Sequence, residues 1–427
     1  MNSRINILIL LYACIVIAFG TAWGEEQLKL DDLIEEALQN NPNLIGARHE
    51  IAAAKAQILQ AKAWDPPQIG VEFFQTPIES FPNPADDSME IDYFIQQMFP
   101  FPGKRDAMSR SAESNLAMTD RKYHSLEKKV IRDLKNSFYN LYFVRQKIRI
   151  NSENQDLMRE FTNIANRQYE VGIGKQADIL RAQTELSILI NEGITLLQEK
   201  KSAEAMVNTI LSRPTDGTFP GIPDIIVDPP SVTFDQLKAL ALDDRPELQS
   251  MHENINMNEA ELSAARLEYY PDIMFRVMYK DMRATSNDYW STMGAVNIPL
   301  AFWSGGKYKG KVEEKEQTLR KAKQDYRSME NMVLFQIQDA LANLQSNQNI
   351  VSLYKSTLIP QAEQTLQSTM AGYQTGKMDF FSLIDAYRML LMAKLNYHMS
   401  AMKFMESQAE LEQAVGLDMD EIARRSK

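Results

Sequence analysis

Cysteine is all but missing from this chain: Cys14 is the one thiol in 427 residues. It sits in MNSRINILILLYACIVIAFGTAWG, where an apolar run from Ile5 to Phe19 precedes the small residues Ala22 and Gly24. That is the pattern of a secretory signal. Residues 1–24 are therefore expected to be a signal peptide cleaved after Gly24, leaving a mature chain with no disulfide and no thiolate site. Two other readings stay open. The run could anchor the chain, although it is short for a membrane span. Cys14 could be lipidated, although Leu11-Tyr12-Ala13 makes a poor lipobox. Beyond the signal no stretch approaches 18 consecutive apolar residues, so no transmembrane helix is expected.

Basic charge is also in short supply. The formal net charge is −11, and a nucleic-acid partner would call for a basic face. An acidic protein with a water-filled interior would instead attract cations. His49, His124, His252 and His398 are scattered, with no second histidine at i+4, so no zinc spacing and no resident metal is expected. GIGK (172–175) and SGGKYKGK (304–311) lack the phosphate-loop pattern and read as turns. The basic run RKYHSLEKKVIRDLK (121–135) carries acids among its bases and reads as a solvated helix face. No nucleophile–base pair stands out. The chain is expected to have no catalytic residues, no cofactor and no enzymatic activity.

Glycine and proline are absent where long helices would need them to be. Lys104 to Val171 runs 68 residues without either, and Lys175 to Arg213 runs 39 with only Gly193. Lys311 to Ala371 is interrupted only by Pro360, and Lys377 to Val415 is again 39 residues long. A helix of about 60 residues is roughly 90 Å long, so it must pack along other long helices. Ile179, Ala182, Leu186, Leu189, Gly193 and Leu196 step by threes and fours, as do Leu383, Ala386, Leu390, Ala393 and Tyr397. A repeat of 3.5 residues is a coiled-coil seam. A plain coiled-coil rod remains a possible reading, but it leaves the strands described below without a role.

The chain says most things twice. YEVGIGKQADILRAQTEL (169–186) and YQTGKMDFFSLIDAYRML (373–390) share an outline at an offset of 204 residues. LDDLIEEALQNNPNL (30–44) matches FDQLKALALDDRPEL (234–248) at the same offset, and Pro67 and Ile69 meet Pro271 and Ile273. One unit of about 200 residues therefore occurs twice. The expected organisation is a first repeat over 25–212, a proline-rich linker over 213–233, a second repeat over 234–416 and a tail over 417–427. Each repeat has the same inner order. A helix over 31–64, with Asp31 or Asp32 available to cap it, leads to two strands, Pro67–Thr76 and Met89–Phe99, and then to two long helices.

The strands alternate. Ile69, Val71 and Phe73 oppose Gln68, Gly70 and Glu72. Ile273, Phe275, Val277 and Tyr279 oppose Asp272, Arg276 and Lys280. The fourth strand, Tyr289 to Leu300, sets Trp290, Val296, Ile298 and Leu300 against Ser291 and Asn297. About ten residues is the length that crosses a bilayer when tilted. Phe81, Phe99, Phe101, Trp290, Phe302 and Trp303 gather near strand ends, as in an interfacial girdle. Four strands cannot close a barrel, and an open edge in lipid is forbidden, so subunits are expected to pool their strands. A soluble sandwich is the other reading of the patterning alone.

Taken together, the double repeat, the opening LDDLIEEALQNNPNL, the helix–strand–strand–helix–helix order and the Tyr-x-x-Gly turn entering Asp178-Ile179-Leu180-x-Ala182-Gln183 resemble the TolC family of outer-membrane channel proteins, over nearly all of the mature chain. The resemblance implies a mainly α fold with a transmembrane β-barrel: a homotrimer with a twelve-stranded barrel, four strands per subunit, in outer-membrane lipid, and a long coiled-coil helical barrel extending into the periplasm. It implies the exit duct of a tripartite efflux system, served by a periplasmic adaptor (membrane fusion) protein and an inner-membrane pump of the RND type. A type I secretion component or a periplasmic coiled-coil scaffold or adaptor are the alternatives. Tyr169, Gly172, Gly174, Tyr373 and Gly376 would form the tip turns that dock the adaptor. Family acids six and nine positions after the turn glycine ring the pore entrance. Asp178 matches the first position and Asp385 the second, while Ser382 replaces the acid in the second repeat, which thins the ring. Asp379 lies nearby but out of phase. Lys377 would be the basic partner, and helix capping is the other reading of each Asp. QMFPFPGKRDA (97–107) resembles the strand-to-helix junction of the heavy-metal efflux branch. Methionine is abundant, 23 in all, and thioethers bind Cu(I) or Ag(I), although methionine at helical spacings is usually packing.

Overall fold

The computed structural model describes residues 28–228, 232–283, 285, 287–299 and 305–426. The expected signal segment with Cys14, the linker residues 229–231, and Leu300, Phe302 and Trp303 lie outside them. In chain order the first repeat gives α1 (Leu30–Asn40), α2 (Pro42–Lys62), β1 (Gln68–Phe74), β2 (Glu90–Phe99), α3 (Lys104–Glu170) and α4 (Gln176–Leu211). The second gives α5 (Phe234–Asp244), α6 (Pro246–Leu267), β3 (Asp272–Met282), β4 (Tyr289–Asn297), α7 (Gly305–Leu353), a π-helical turn at Tyr354–Leu358, α8 (Ile359–Gln374) and α9 (Phe380–Val415), with α10 (Met419–Arg425) closing the chain.

Three boundaries differ from expectation. The opening helix over 31–64 is two helices, because Pro42 has no amide to donate and pushes Asn41 into extended backbone, φ −66° and ψ 122°. Pro246 does the same to Arg245 in the second repeat. Asp31 and Asp32 do not cap α1. Lys29 holds the cap position without a side-chain bond, and the two acids lie in the first turn, where the helix dipole favours them. The matching helix α5 is closed by a reciprocal Thr233–Gln236 capping box. Finally, α7 begins at Gly305 and runs straight through Gly306 and Gly310, so these glycines do not delimit the helix.

The chain packs as two compact units, each taking a share of both repeats. One comprises the chain up to Asn41 with Ile131–Pro229 and Asn343–Ala409. The other comprises Pro42–Val130, Pro230–Ala342 and Glu410–Lys427.

The first unit is helical. In α4, Ala182, Leu189, Leu196 and Ala203 are buried at intervals of seven, the spacing of a coiled-coil seam. In α9, Leu383, Ala386, Leu390 and Ala393 are buried in steps of three and four, while Ile179 and Leu186 pack at the edge of the same core. Pro360 explains why the second repeat's long helix is interrupted. A proline inside a helix removes one hydrogen bond and crowds the preceding turn, and the π turn at Tyr354–Leu358 absorbs the misfit. The segment following α4 does not hang free. The Arg145 guanidinium donates to the Phe219 carbonyl at 2.8 Å and to that of Pro220, and pairs with buried Glu204 at 3.1 Å. Asn208 donates to the Gly217 carbonyl at 2.7 Å, and Gln146 donates to Asp224. Beneath this strap Tyr142 meets His398 at 3.0 Å. Burial, reinforced by the Arg149 charge, drives the His398 imidazolium pKa down to about 4.

The second unit carries one antiparallel sheet in the order β1-β2-β3-β4. Its register places Ile69 opposite Ile95, Ile95 opposite Val277, and Val71 beside Tyr93, Tyr279 and Trp290 on one face. That face is open, with Ile69 80% and Trp290 73% exposed. The other face pairs Glu72 with Asp92, Asp92 with Lys280, and Gln96 with Arg276. Lys280 bonds both Glu90 and Asp92. Residues 97–107 turn from β2 into α3 through Gly103, φ +94°. Asp272 fixes this junction by accepting from the Phe101 amide and from Lys104, both at 2.7 Å. Phe101 stacks on Tyr270 at 4.5 Å.

Candidate functional site at the helical tips

The two long hairpins of the helical unit reverse through the two Tyr-x-x-Gly turns. Gly172 and Gly376 both adopt left-handed backbone, φ +76° and +70°, which glycine accepts without steric cost. The hydrogen bonds repeat atom for atom. The Gly172 amide donates to the Tyr169 carbonyl, and the amides of Ile173 and Gly174 donate to that of Gln168. The Gly376 amide donates to Tyr373, and Lys377 and Met378 donate to Gly372. The 204-residue repeat is thus a repeat of turn geometry.

The turns solve one crowding problem in opposite ways. Position 168 faces position 174, and 372 faces 378. A Cβ on Gly174 would fall 2.9 Å from the Gln168 Cβ, and one on Gly372 would fall 2.4 Å from the Met378 Cγ. Each pair holds one glycine, at the later position in the first turn and the earlier one in the second. Gly174 was legible as a turn residue, whereas Gly372 was not singled out because it precedes the motif.

The two turns also touch. Gln168 donates to the Gln374 carbonyl at 2.6 Å. Tyr373 is 5% exposed and its hydroxyl donates to Asp178 at 3.3 Å, joining α8 of one repeat to α4 of the other. Burial first, and the Asp178 charge second, push the Tyr373 pKa up to about 12. The phenol therefore stays a proton donor across the physiological range. Tyr373 packs edge-on against buried Phe380 at 5.3 Å. Its counterpart Tyr169 is 50% exposed. The offset places Ser382, not an acid, at the position equivalent to Asp178.

Asp178 lies in the first turn of α4, where the helix dipole favours an acid, but neither it nor Asp385 is an N-cap. Lys175 is the N-cap of α4 and makes no side-chain cap bond, and Asp178 accepts from Tyr373 instead. At α9 the cap is Asp379, which accepts from the Ser382 amide at 2.8 Å, a bond that holds its carboxyl below the usual range. Asp385 lies beyond the first turn and is exposed. Lys377 is exposed, and among the described residues it forms no ion pair with Asp178 or Asp385. So Asp178 and Tyr373 are brought together, and Asp385 and Lys377 stand apart within one chain. The tip also presents Val171, Ile173, Met378 and Phe381 to the outside, and Arg181 lies over the Phe381 ring at 5.5 Å. Among the described residues no cluster of His, Cys, Asp or Glu could hold a metal ion, and no helix is long and apolar enough to cross a membrane.

Known proteins share this plan. The family model described as outer membrane efflux protein matches residues 33–212 and again 237–417. The cobalt-zinc-cadmium resistance protein CzcC of Cupriavidus metallidurans is 21% identical over 374 residues, covering 87% of this chain and 85% of that protein. The cation efflux system protein CusC of Escherichia coli is 21% identical over 408 residues, covering 88% and 84%. Among solved structures, CusC superposes with a TM-score of 0.78 at 18% identity over 92% of this chain and 93% of that one. The outer-membrane channel OprN gives 0.77 at 17% over 91% and 90%. These structures share the fold, and the family model, matched in both halves, goes further: the chain belongs to the outer membrane efflux protein family and is a channel protein of the outer membrane with its helical barrel in the periplasm.

Proposed function

We propose that three copies of this chain assemble into a passive exit duct for metal cations, loaded by an RND-type inner-membrane pump through a periplasmic adaptor. The observation that carries the assembly is the four-stranded sheet. Its apolar face is open and its outer strands β1 and β4 have no further partner strand among the described residues, and a lipid-facing sheet must close. Three copies give twelve strands, and their polar faces line the pore. The duct does no chemistry of its own. The two matched turns dock the adaptor: Tyr169, Gly172, Gly174 and Gly376 lie at exposed or half-exposed backbone flanked by Val171 and Ile173, and Tyr373 braces the turn from inside. The cargo class is supported by two relatives whose names concern cation efflux and cobalt-zinc-cadmium resistance.

Asp178 and Asp385, three copies of each, set a cation-selective constriction at the tip, with Lys377 acting as counter-charge between copies rather than within one chain. A unit pair about 4 Å apart at an effective dielectric near 20 is worth roughly 4 kcal/mol, and pore water and salt reduce it. Single-channel recording on Asp178→Ala with Asp385→Ala tests this. Weaker cation selectivity and weaker block by multivalent cations are expected. Unchanged values for both would remove these acids from the constriction.

A further inference from the structure

The apolar face of the sheet leads to a cation. Phe99 lies on that face opposite Ile273, and both are exposed. The Trp64 ring meets Phe99 edge-on at 5.5 Å, and the Arg105 guanidinium lies over the Trp64 ring at 3.6 Å. Trp64 is 51% exposed and Arg105 is half-buried. A guanidinium carries five N–H donors. Arg105 uses one on the Lys62 carbonyl at 3.2 Å, and among the described residues it forms no ion pair. Asp65 and Asp106 stand close to it in sequence, but neither pairs with it. The neighbouring cations are committed: Lys62 pairs with Glu113, Lys104 with Asp272 and Lys311 with Glu268.

The second repeat does not copy this arrangement. The 204-residue offset places Glu268 at the position of Trp64, and Gly103-Lys104-Arg105 meets Gly306-Lys307-Tyr308, one residue out of step. Glu268 pairs with Lys311, and Tyr308 packs against Tyr269 at 5.8 Å. The stacked guanidinium therefore belongs to the first repeat alone. The far end of the sheet has the opposite sign. Its loops and apolar face carry Glu79, Asp86, Asp87, Asp281 and Asp288 against Arg283. The long helices continue from the Arg105 end, so that end meets the periplasmic leaflet.

We propose that Arg105, stacked on Trp64, binds the phosphate diester of a glycerophospholipid in the periplasmic leaflet, one lipid per subunit. The planar fork of arginine matches phosphate geometry. Trp64 orients the guanidinium by cation–π contact, and an indole ring sits at headgroup level. The acyl chains lie along Phe99 and Ile273. The inference rests on the barrel reading for turning this face to lipid.

The test uses the full-length protein extracted in detergent, with dioleoyl phosphatidylglycerol added stepwise and bound lipid counted by native mass spectrometry. Wild type is expected to hold one lipid per subunit. A basic side chain near an anionic membrane surface is worth about a fivefold change in affinity, so Arg105→Gln is expected to weaken that lipid about fivefold. Trp64→Leu keeps the charge, removes the stack and is expected to move affinity in the same direction. Lys307→Gln removes one charge from the matching junction of the second repeat and is expected to leave affinity unchanged. Dioleoylglycerol has the chains without the phosphate, and its binding is expected not to distinguish wild type from Arg105→Gln. Equal phosphatidylglycerol affinity in wild type and Arg105→Gln, an equal loss in Lys307→Gln, or displacement of the lipid by inorganic phosphate overturns the site. So does loss of the assembled species in Arg105→Gln, which would give the guanidinium to a second copy of the chain. Flotation with phosphatidylcholine vesicles separates the two readings. Insertion with unaltered phosphatidylglycerol binding in Arg105→Gln sinks the headgroup site alone, and a wild type that does not insert sinks the barrel reading.

Discussion

At the scale of single residues, Tyr373 and Asp178 hold the two repeats together at the tip. Hydrogen bonds to charged groups contribute roughly 1.5–3 kcal/mol, and the 3.3 Å length puts this one at the weak end. Tyr373→Phe keeps the ring against Phe380 and removes only the donor. It is expected to loosen the tip and raise single-channel conductance while leaving expression unchanged; conductance equal to wild type would show that this bond does not restrain the tip. The pH dependence has a defined sign. A phenol near 10 when unfolded and near 12 when folded binds more protons in the native state between those values, so its contribution is complete below pH 10 and is lost as pH rises toward 12. Gly372 gives a second residue-scale prediction. Gly372→Ala drives a Cβ into the Met378 side chain, and such overpacking costs about 1–3 kcal/mol. Adding Met378→Ala removes the Cγ in the way and is expected to restore most of the melting temperature. A double variant no more stable than the single one would place the strain in the backbone.

At the scale of elements, the faces of the strands decide where a charge can go. A lysine on the lipid face at the bilayer midplane costs about 2–4 kcal/mol, whereas pore-facing positions tolerate it. Val277→Lys, on the open apolar face, is expected to abolish recovery from the outer-membrane fraction, and Ala295→Lys, on the polar face with Met274, to leave it intact. Equal recovery of both would mean that the apolar face does not meet lipid. The strand faces were legible in the sequence because a period of two is strict. The helical seam was legible for a similar reason: Leu383, Ala386, Leu390 and Ala393 keep their three–four spacing and are the residues buried. What sequence could not give was pairing across the chain. Nothing near Tyr373 announces a bond to a residue 195 positions away, and nothing in RPTDGTFPGIPD announces that Arg145 will hold its carbonyls. The opening helix was misread as continuous because its periodicity carries across Pro42 while the missing amide breaks it.

At the scale of the whole molecule, the repeat, the long helices and the open sheet have one explanation. In the proposed assembly, two similar hairpins per chain, repeated in three chains, would make a pseudo-sixfold tube, and the four strands of each chain would close into a barrel by pooling. The tip turns, identical in backbone bonds but different in side chains, then present alternating surfaces around the tube, with Tyr373 buried and Tyr169 open. The central claim is that this chain is incomplete alone. Native mass spectrometry of the protein extracted in detergent tests it most directly: the account predicts a single species of three subunits, and a stable monomer, or a dimer, with its sheet unclosed would contradict it.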